Sequence, residues 1–219
     1  MSNVIKSIKD QFIDVLLNQN ALKFGNYTLK SGRQSPYFFN LGAFNSGDAL
    51  AKLGFFYATM ITHYQLECDV LFGPAYKGIP LVSATAIALA TQFKKDIPYC
   101  FNRKLKKNYA DSGELVGAEL EGEVLMVDDV ISAGNTVRET LNLIKNYNAK
   151  LSAIVIAFDR QEKGLTDTSA VQEVIDTYQV PIYSIVKLED LIDYLERHKE
   201  YSNVLGEILN YRQQYGIFN

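Results

Sequence analysis

The sequence predicts an α/β fold, a doubly wound and mainly parallel sheet flanked by helices. Three observations lead there. Short segments at 70–72, 124–127 and 151–158 are apolar at nearly every position, as strands buried on both faces are. They alternate with stretches whose apolar residues recur at spacings of three and four, the pattern of amphipathic helices. The 219 residues are 47% hydrophobic and 21% charged. They show no internal repeat, low-complexity segment or linker, so a single domain with its own core is expected.

The elements follow in chain order. Ile5, Ile8, Phe12 and Val15 mark one face of a first helix. Residues 24–40 read as strand-like, punctuated by Lys30, Gly32 and Arg33. Ser46 is placed to cap a helix that runs to about residue 65. A short strand at 70–72 precedes an apolar helix at 79–93. The uncharged run around that helix, 78–93, is 16 residues long and contains Pro80, Ser83 and Gln92. A membrane span needs about 20 mostly apolar residues, so this run reads as a buried helix. A second strand at 98–102 is followed by a long polar interval, 103–123. The third strand, 124–127, leads through a loop into a helix with Val137, Leu141 and Ile144 on one face. Strands four and five lie at 151–158 and 180–186. Leu188, Leu191, Ile192 and Leu195 line one late helix, and Val204, Leu205, Ile208 and Leu209 line the last. Parallel strands joined by right-handed crossovers bind ligands at their carboxyl ends, so the loops there are where chemistry belongs.

Composition narrows the function. Lys plus Arg is 22 and Asp plus Glu is 25, a net charge of −3. A generic nucleic-acid binder is normally basic, so neither nucleic acid nor membrane is expected as a partner. The first ten residues alternate charged with apolar side chains and carry no signal core, which predicts a cytoplasmic chain. Cys68 and Cys100 form no CxxC motif and read as buried reduced thiols. His63 and His198 belong to no HExxH, and there is no GxSxG. Both histidines therefore read as structural, and serine-histidine and zinc-histidine hydrolysis are poor candidates.

The most informative stretch is 124–139, VLMVDDVISAGNTVRE. An apolar strand ends in Asp128 and Asp129, and a small-residue loop opens a helix. Backbone N–H groups at a helix N-terminus attract an anion. Ser132 and Thr136 add hydroxyl donors, and Gly134 permits close backbone approach. A phosphorylated sugar wants both features: its phosphate takes the loop and its ring hydroxyls take the carboxylates. A lone Asp pair would be a solvated strand end; the whole order of strand, DD, loop and helix favours function.

This stretch resembles the phosphoribosyl pyrophosphate motif of type I phosphoribosyltransferases. Four further segments narrow the resemblance to the orotate phosphoribosyltransferases: LKSGRQSPYFFN (29–40), LFGPAYKGIP (71–80), FNRKLKKNYADSGELVG (101–117) and FDRQEKG (158–164). The resemblance implies one phosphoribosyltransferase domain over 1–219, with about the first 45 residues forming a small acceptor-binding hood. It implies transfer of phosphoribosyl from 5-phosphoribosyl 1-diphosphate to orotate, giving orotidine 5′-monophosphate and diphosphate in pyrimidine (UMP) biosynthesis.

Each segment also has its own physical reading. Gly73 and Gly78 have the GxxxxG spacing of a Walker loop, but Ile79 stands where its lysine belongs, and no GxG occurs anywhere. What remains is a tight turn carrying Tyr76 and Lys77, with Lys77 able to meet a diphosphate as a point charge. The resemblance implies a cis peptide between Ala75 and Tyr76. The RKLKK cluster at 103–107 opens a polar interval. As an isolated charge run it would be a solvated hairpin; as a lid it would close over a polyanion and exclude water.

By resemblance, Arg103, Lys104 and Lys107 are lid cations that reach the neighbouring subunit's site, which implies a homodimer. Where the family often has a lid histidine, this chain has Tyr109, which can donate a hydrogen bond but carries no positive charge at neutral pH. The resemblance assigns the donor to Lys30, Tyr76, Lys77, the lid residues, Asp128, Asp129 and the loop Val130, Ile131, Ser132, Ala133, Gly134, Asn135 and Thr136. Lys77, the lid cations and the Asp pair are the implied catalytic set. Orotate falls to Lys30, Phe38, Phe39, Ser132 and Arg160, the last suited to a carboxylate by its fork of donors. Mg²⁺ is expected to arrive with the substrate, without a direct protein ligand. Two alternatives stand beside this reading: a purine phosphoribosyltransferase, and a non-catalytic sensor of the same donor that binds nucleic acid.

Overall fold

The computed structural model describes residues 3–29, 31–104, 113–131, 134–164 and 167–217. The first helix, α1 (Asn3–Asn18), buries Ile5, Phe12, Ile13 and Leu16. The strand-like stretch resolves into a hairpin, β1 (Leu22–Thr28) and β2 (Gln34–Phe39), paired antiparallel as a separate two-stranded sheet. Helix α2 (Gly47–His63) starts where expected, because the Ser46 hydroxyl accepts a hydrogen bond from the Ala49 N–H at 3.2 Å. That cap satisfies one of the four N–H groups a helix start leaves unpaired.

The main sheet has six strands: β3 (Val70–Gly73), β4 (Tyr99–Asn102), β5 (Leu115–Gly117), β6 (Gly122–Asp128), β7 (Ala149–Asp159) and β8 (Ile182–Lys187). Their order is β5-β4-β3-β6-β7-β8. All neighbouring pairs are parallel except β4 with β5. The connecting helices are α3 (Gly78–Phe93), α4 (Asn135–Ile144) and α5 (Ala170–Tyr178), with α6 (Leu188–Arg197) and α7 (Ser202–Tyr215) closing the chain.

The strands alternate faces, as period-two geometry demands. In β6, Val124 and Met126 join the core under α4 and α5, while Leu125 and Val127 join the core under α1, α2, α3, α6 and α7. In β7, Ile154 and Ile156 face one way and Val155 and Ala157 the other. All eight are buried, which is why both strands read as continuous apolar runs.

Several expectations need correction. The interval 103–123 holds β5, a three-residue edge strand too short and too exposed to show a period. Helix α5 was absent from the sequence reading, although Ser169 caps it by accepting from the Gln172 N–H at 3.0 Å. On α7 the buried pair is Ile208 and Tyr211, whereas Leu209 is 41% exposed. Cys68 is only half-buried; Cys100 is fully buried, and burial pushes its thiol up to about 12. His63 is exposed at the end of α2, and His198 stacks on Tyr194 with its Nδ1 2.7 Å from that residue's carbonyl oxygen. Among the described residues, no helix is long and apolar enough to cross a membrane.

Helices α2 and α3 pack with their backbones in near contact. A Cβ built on Gly54 would lie 2.4 Å from the Ala84 carbonyl oxygen. Helix propensity alone makes Gly54→Ala stabilising by about 1 kcal/mol. The clash predicts the opposite sign, a net loss of roughly 1–3 kcal/mol as the helices are forced apart. Chemical denaturation of the two proteins settles the sign: an unchanged or raised midpoint would show that the helices part without cost.

Candidate active site

The strand order reverses between β3 and β6: the chain leaves β3 toward β4 on one side and β6 toward β7 on the other. Such a switch point opens a crevice at the strands' carboxyl ends. The two loops that flank it are the GPAYKG turn after β3 and the DD loop after β6, and the structure brings them together. Lys77 Nζ lies 2.5 Å from Asp129 Oδ2. The lysine side chain is 56% exposed and the carboxylate 12%, so the cation is presented from the rim to an acid held inside.

The glycines of the turn have a steric purpose. A Cβ on Gly73 would lie 2.2 Å from the Gly78 carbonyl oxygen, and one on Gly78 would lie 2.6 Å from the Gly73 carbonyl carbon. The GxxxxG spacing therefore lets the end of β3 touch the start of α3. The Ala75–Tyr76 peptide is cis, as the resemblance implied. Asn102, at the end of β4, accepts a hydrogen bond from the Ala75 N–H at 2.8 Å. Tyr76 is 70% exposed, and Lys104 Nζ sits 5.8 Å from its ring centre. Just past β4, Arg103 is tied to the residues just before β5: its backbone N–H donates to the Glu114 carbonyl and its Nη1 donates to the Gly113 carbonyl, both at 2.8 Å. A cavity of about 430 Å³ runs from this turn and Lys104 to Thr136 and Glu139 of α4; the Asp pair does not line it.

Asp128 and Asp129 are both buried. Asp128 accepts the Asp129 N–H at 2.8 Å, and Asp129 accepts the Val130 N–H at 2.9 Å. The Tyr57 hydroxyl, fully buried on α2, donates to the Asp128 carbonyl at 2.6 Å and so fixes the strand end from below. Burial, with the neighbouring Asp129 charge second, pushes the Asp128 carboxyl up to about 7. Its charge is thus expensive in this buried site, and hydroxyl groups donating to it relieve that cost. After the loop, Gly134 has φ 65° and caps α4; a Cβ there would lie 2.7 Å from Val174. Asn135 and Thr136 begin the helix with their N–H groups at its positive end.

Of the residues expected to meet the acceptor, Phe38 and Phe39 lie at the end of β2 and Arg160 just past β7. The phenylalanine pair divides: Phe39 packs 5.2 Å from the Phe158 ring, whereas Phe38 is 39% exposed beside Tyr27. Arg160 reaches β2. Its guanidinium stacks 4.3 Å from the Tyr37 ring centre and donates to Ser35 Oγ at 3.2 Å. It also forms an ion pair with Glu162 at 2.6 Å. The sequence reading missed Glu162, Asn102 and Tyr57. Only FDRQEKG held a hint, a carboxylate two residues from the arginine. Lys30, Lys107, Tyr109, Ser132 and Ala133 lie outside the described residues.

Among the described residues, no group of three or more His, Cys, Asp or Glu is placed to hold a metal ion. The Asp pair offers oxygen donors only, which fits an ion that keeps its waters and takes further ligands from phosphate.

Comparison with known proteins agrees with this geometry. Residues 45–183 match the phosphoribosyl transferase domain model. Over 213 residues the chain is 52% identical to the orotate phosphoribosyltransferase of Pseudoalteromonas translucida, covering 97% of this chain and 100% of that one. The Serratia proteamaculans orotate phosphoribosyltransferase is 51% identical over the same span. A crystal structure of the Francisella tularensis orotate phosphoribosyltransferase superposes with a TM-score of 0.85 at 41% identity, covering 94% of this chain and 99% of that one. A buried carboxylate pair at the switch point, a matching domain model and relatives of one kind along nearly the whole chain lead to one conclusion: the chain belongs to the orotate phosphoribosyltransferase family.

Proposed function

We propose a division of labour among these residues for the family's reaction, in which the phosphoribosyl group of 5-phosphoribosyl 1-diphosphate passes to orotate. The observation that carries it is the convergence of Lys77 and Asp129 across the switch point, 2.5 Å apart. The bond from the anomeric carbon to diphosphate breaks as the bond to the orotate nitrogen forms and that nitrogen gives up its proton to solvent or diphosphate, so positive charge develops on the sugar and negative charge on the leaving group. No protein nucleophile is required. Asp128 and Asp129 accept from the ribose hydroxyls and face the growing positive charge. The loop Val130 to Thr136 takes the 5′-phosphate on the N-terminus of α4. Lys77, Tyr76 and the lid residues Arg103, Lys104, Lys107 and Tyr109 meet the diphosphate. Lys30, Phe38, Phe39, Ser132 and Arg160 orient the acceptor ring. Mg²⁺ bound with the donor would supply charge neutralisation at the diphosphate.

Residues 1–45 contribute the acceptor-side hood, the chain works in the cytoplasm, and two copies share their sites through the lid. Helix α3 suits a partner-facing surface: it carries no charge along its 16 residues, yet Ile87 is 64% exposed.

The test is consumption of orotate followed spectrophotometrically, with uracil and hypoxanthine as controls. Orotate alone should turn over; turnover of hypoxanthine in its place would move the chain to the purine enzymes. Arg160→Ala should weaken orotate binding by about 2–3 kcal/mol, the loss of a charge-assisted contact, with far less effect on the donor. Calorimetry showing equal losses for both substrates would remove Arg160 from the acceptor site.

A further inference from the structure

Beside Arg160 lie two charged side chains, Glu162 and Arg33, that the reaction as described does not use. Glu162 divides its carboxylate between two guanidiniums. Its Oε1 accepts from Arg160 Nε at 2.7 Å, and its Oε2 lies 3.4 Å from Arg33 Nη1. The Tyr37 hydroxyl donates to Oε1 at 3.3 Å. The three charged side chains are largely enclosed, 24% exposed for Arg33, 13% for Glu162 and 18% for Arg160. Two cations and one anion leave this cluster with one positive charge.

The frame around Glu162 is rigid for reasons far away in the chain. Gln161 adopts φ 48°, its N–H donating to the Asp159 carboxylate at 2.9 Å. Its carbonyl accepts from the Ile217 N–H, and the Lys163 N–H donates to the Tyr215 carbonyl, both at 2.9 Å. Arg33 is held from the same side, with Nη2 donating to the Lys163 carbonyl at 3.0 Å and the guanidinium 5.1 Å from the Tyr215 ring centre. The end of α7 thus braces the turn from which Arg160 and Glu162 project.

We infer that Arg33 and Glu162 are positioning residues that set specificity for a carboxylate-bearing acceptor. Glu162 binds one side of the Arg160 guanidinium and fixes its plane against Tyr37. Arg33 balances the Glu162 charge, so the charge of Arg160 is left for the acceptor's carboxylate. Without Arg33, the Glu162–Arg160 pair would be neutral and would repel a second carboxylate as much as it attracts one. Without Glu162, the guanidinium would lose its orientation, and bidentate recognition depends on orientation. This inference rests on the reading that Arg160 binds orotate.

The experiment compares Glu162→Gln, Arg33→Met and Arg160→Ala, singly and with each of the first two added to the third. Orotate KM, donor KM and kcat are measured, with orotate affinity by calorimetry. Glu162→Gln and Arg33→Met should each raise orotate KM by roughly tenfold or more, the scale of one charge-assisted contact, while donor KM stays within about twofold. Neither should add to Arg160→Ala, because both act through that side chain. Equal rises for both substrates, an unchanged orotate KM, or additive losses on Arg160→Ala would overturn the inference. If Arg160→Ala alone leaves orotate binding intact, the Arg160 reading fails and this inference with it. If Arg160→Ala weakens orotate binding and the other two do not, only this inference fails. Arg33 is the most exposed of the three, so Arg33→Met decides the matter should Glu162→Gln not fold.

Discussion

Asp128→Asn and Asp129→Asn are expected to lower kcat by about 100- to 1,000-fold each, the scale on which preorganised charge stabilises a transition state. KM for the donor should change much less, because an amide still accepts from a ribose hydroxyl. The reason is that positive charge develops on the sugar only as diphosphate departs, so a carboxylate acts more strongly there than in the ground state. Unchanged kcat with a raised donor KM would reduce the pair to a binding role.

The same substitution at Asp128 carries a stability signature of definite sign. The folded protein holds the Asp128 proton up to about pH 7, against an ordinary value of 3.8. Between those values the native state binds more protons than the unfolded chain, so this group's contribution to stability declines as pH rises through the window. Asp128→Asn is neutral throughout. Its melting temperature relative to the parent should therefore climb from pH 4 to pH 7 and level off above. A difference that stays flat would mean that the buried pair ionises as freely as in water.

The second large effect concerns the lid. Lys104→Ala with Lys107→Ala removes two lid cations; Asp128→Asn with Asp129→Asn removes the carboxylates. Each double variant should be inactive as a homodimer. Under subunit exchange, a lid that reaches across the dimer gives one site with both defects and one with neither. Activity should return to about half of the parent value per heterodimer, since one of two isologous sites is intact. A lid acting within its own subunit leaves one defect in every site, and verified heterodimers would stay inactive. That result would reject the shared site and leave the reaction assignment standing.

The elements that could be read from the sequence are those whose environment is uniform along the chain. Strands β6 and β7 are buried on both faces, so apolar runs announced them. Helix α2 declared its start because Ser46 caps it locally. The Asp pair and its loop were legible because the residues that act together there are contiguous. Strand β5 was not, since three residues with none buried carry no period, and their antiparallel pairing with β4 depends on the fold. Nor was Glu162, whose partners Arg33 and Tyr37 lie 129 and 125 residues away.

Apolar patterning determined the doubly wound sheet and the two loops at its carboxyl edge, and the resemblance of the quoted motifs identified the family. Only the tertiary structure decided why GxxxxG stands after β3. It is a steric contact between Gly73 and Gly78, with no Walker lysine involved. Tertiary structure also decided that Tyr57 and Asn102 secure the two loops, and that the Arg160 guanidinium is held by Glu162. Local patterns encode what a segment does with its neighbours in sequence. Hydrogen bonds and ion pairs between distant segments depend on where the fold brings them, and one sequence read alone has no period or spacing that records the meeting.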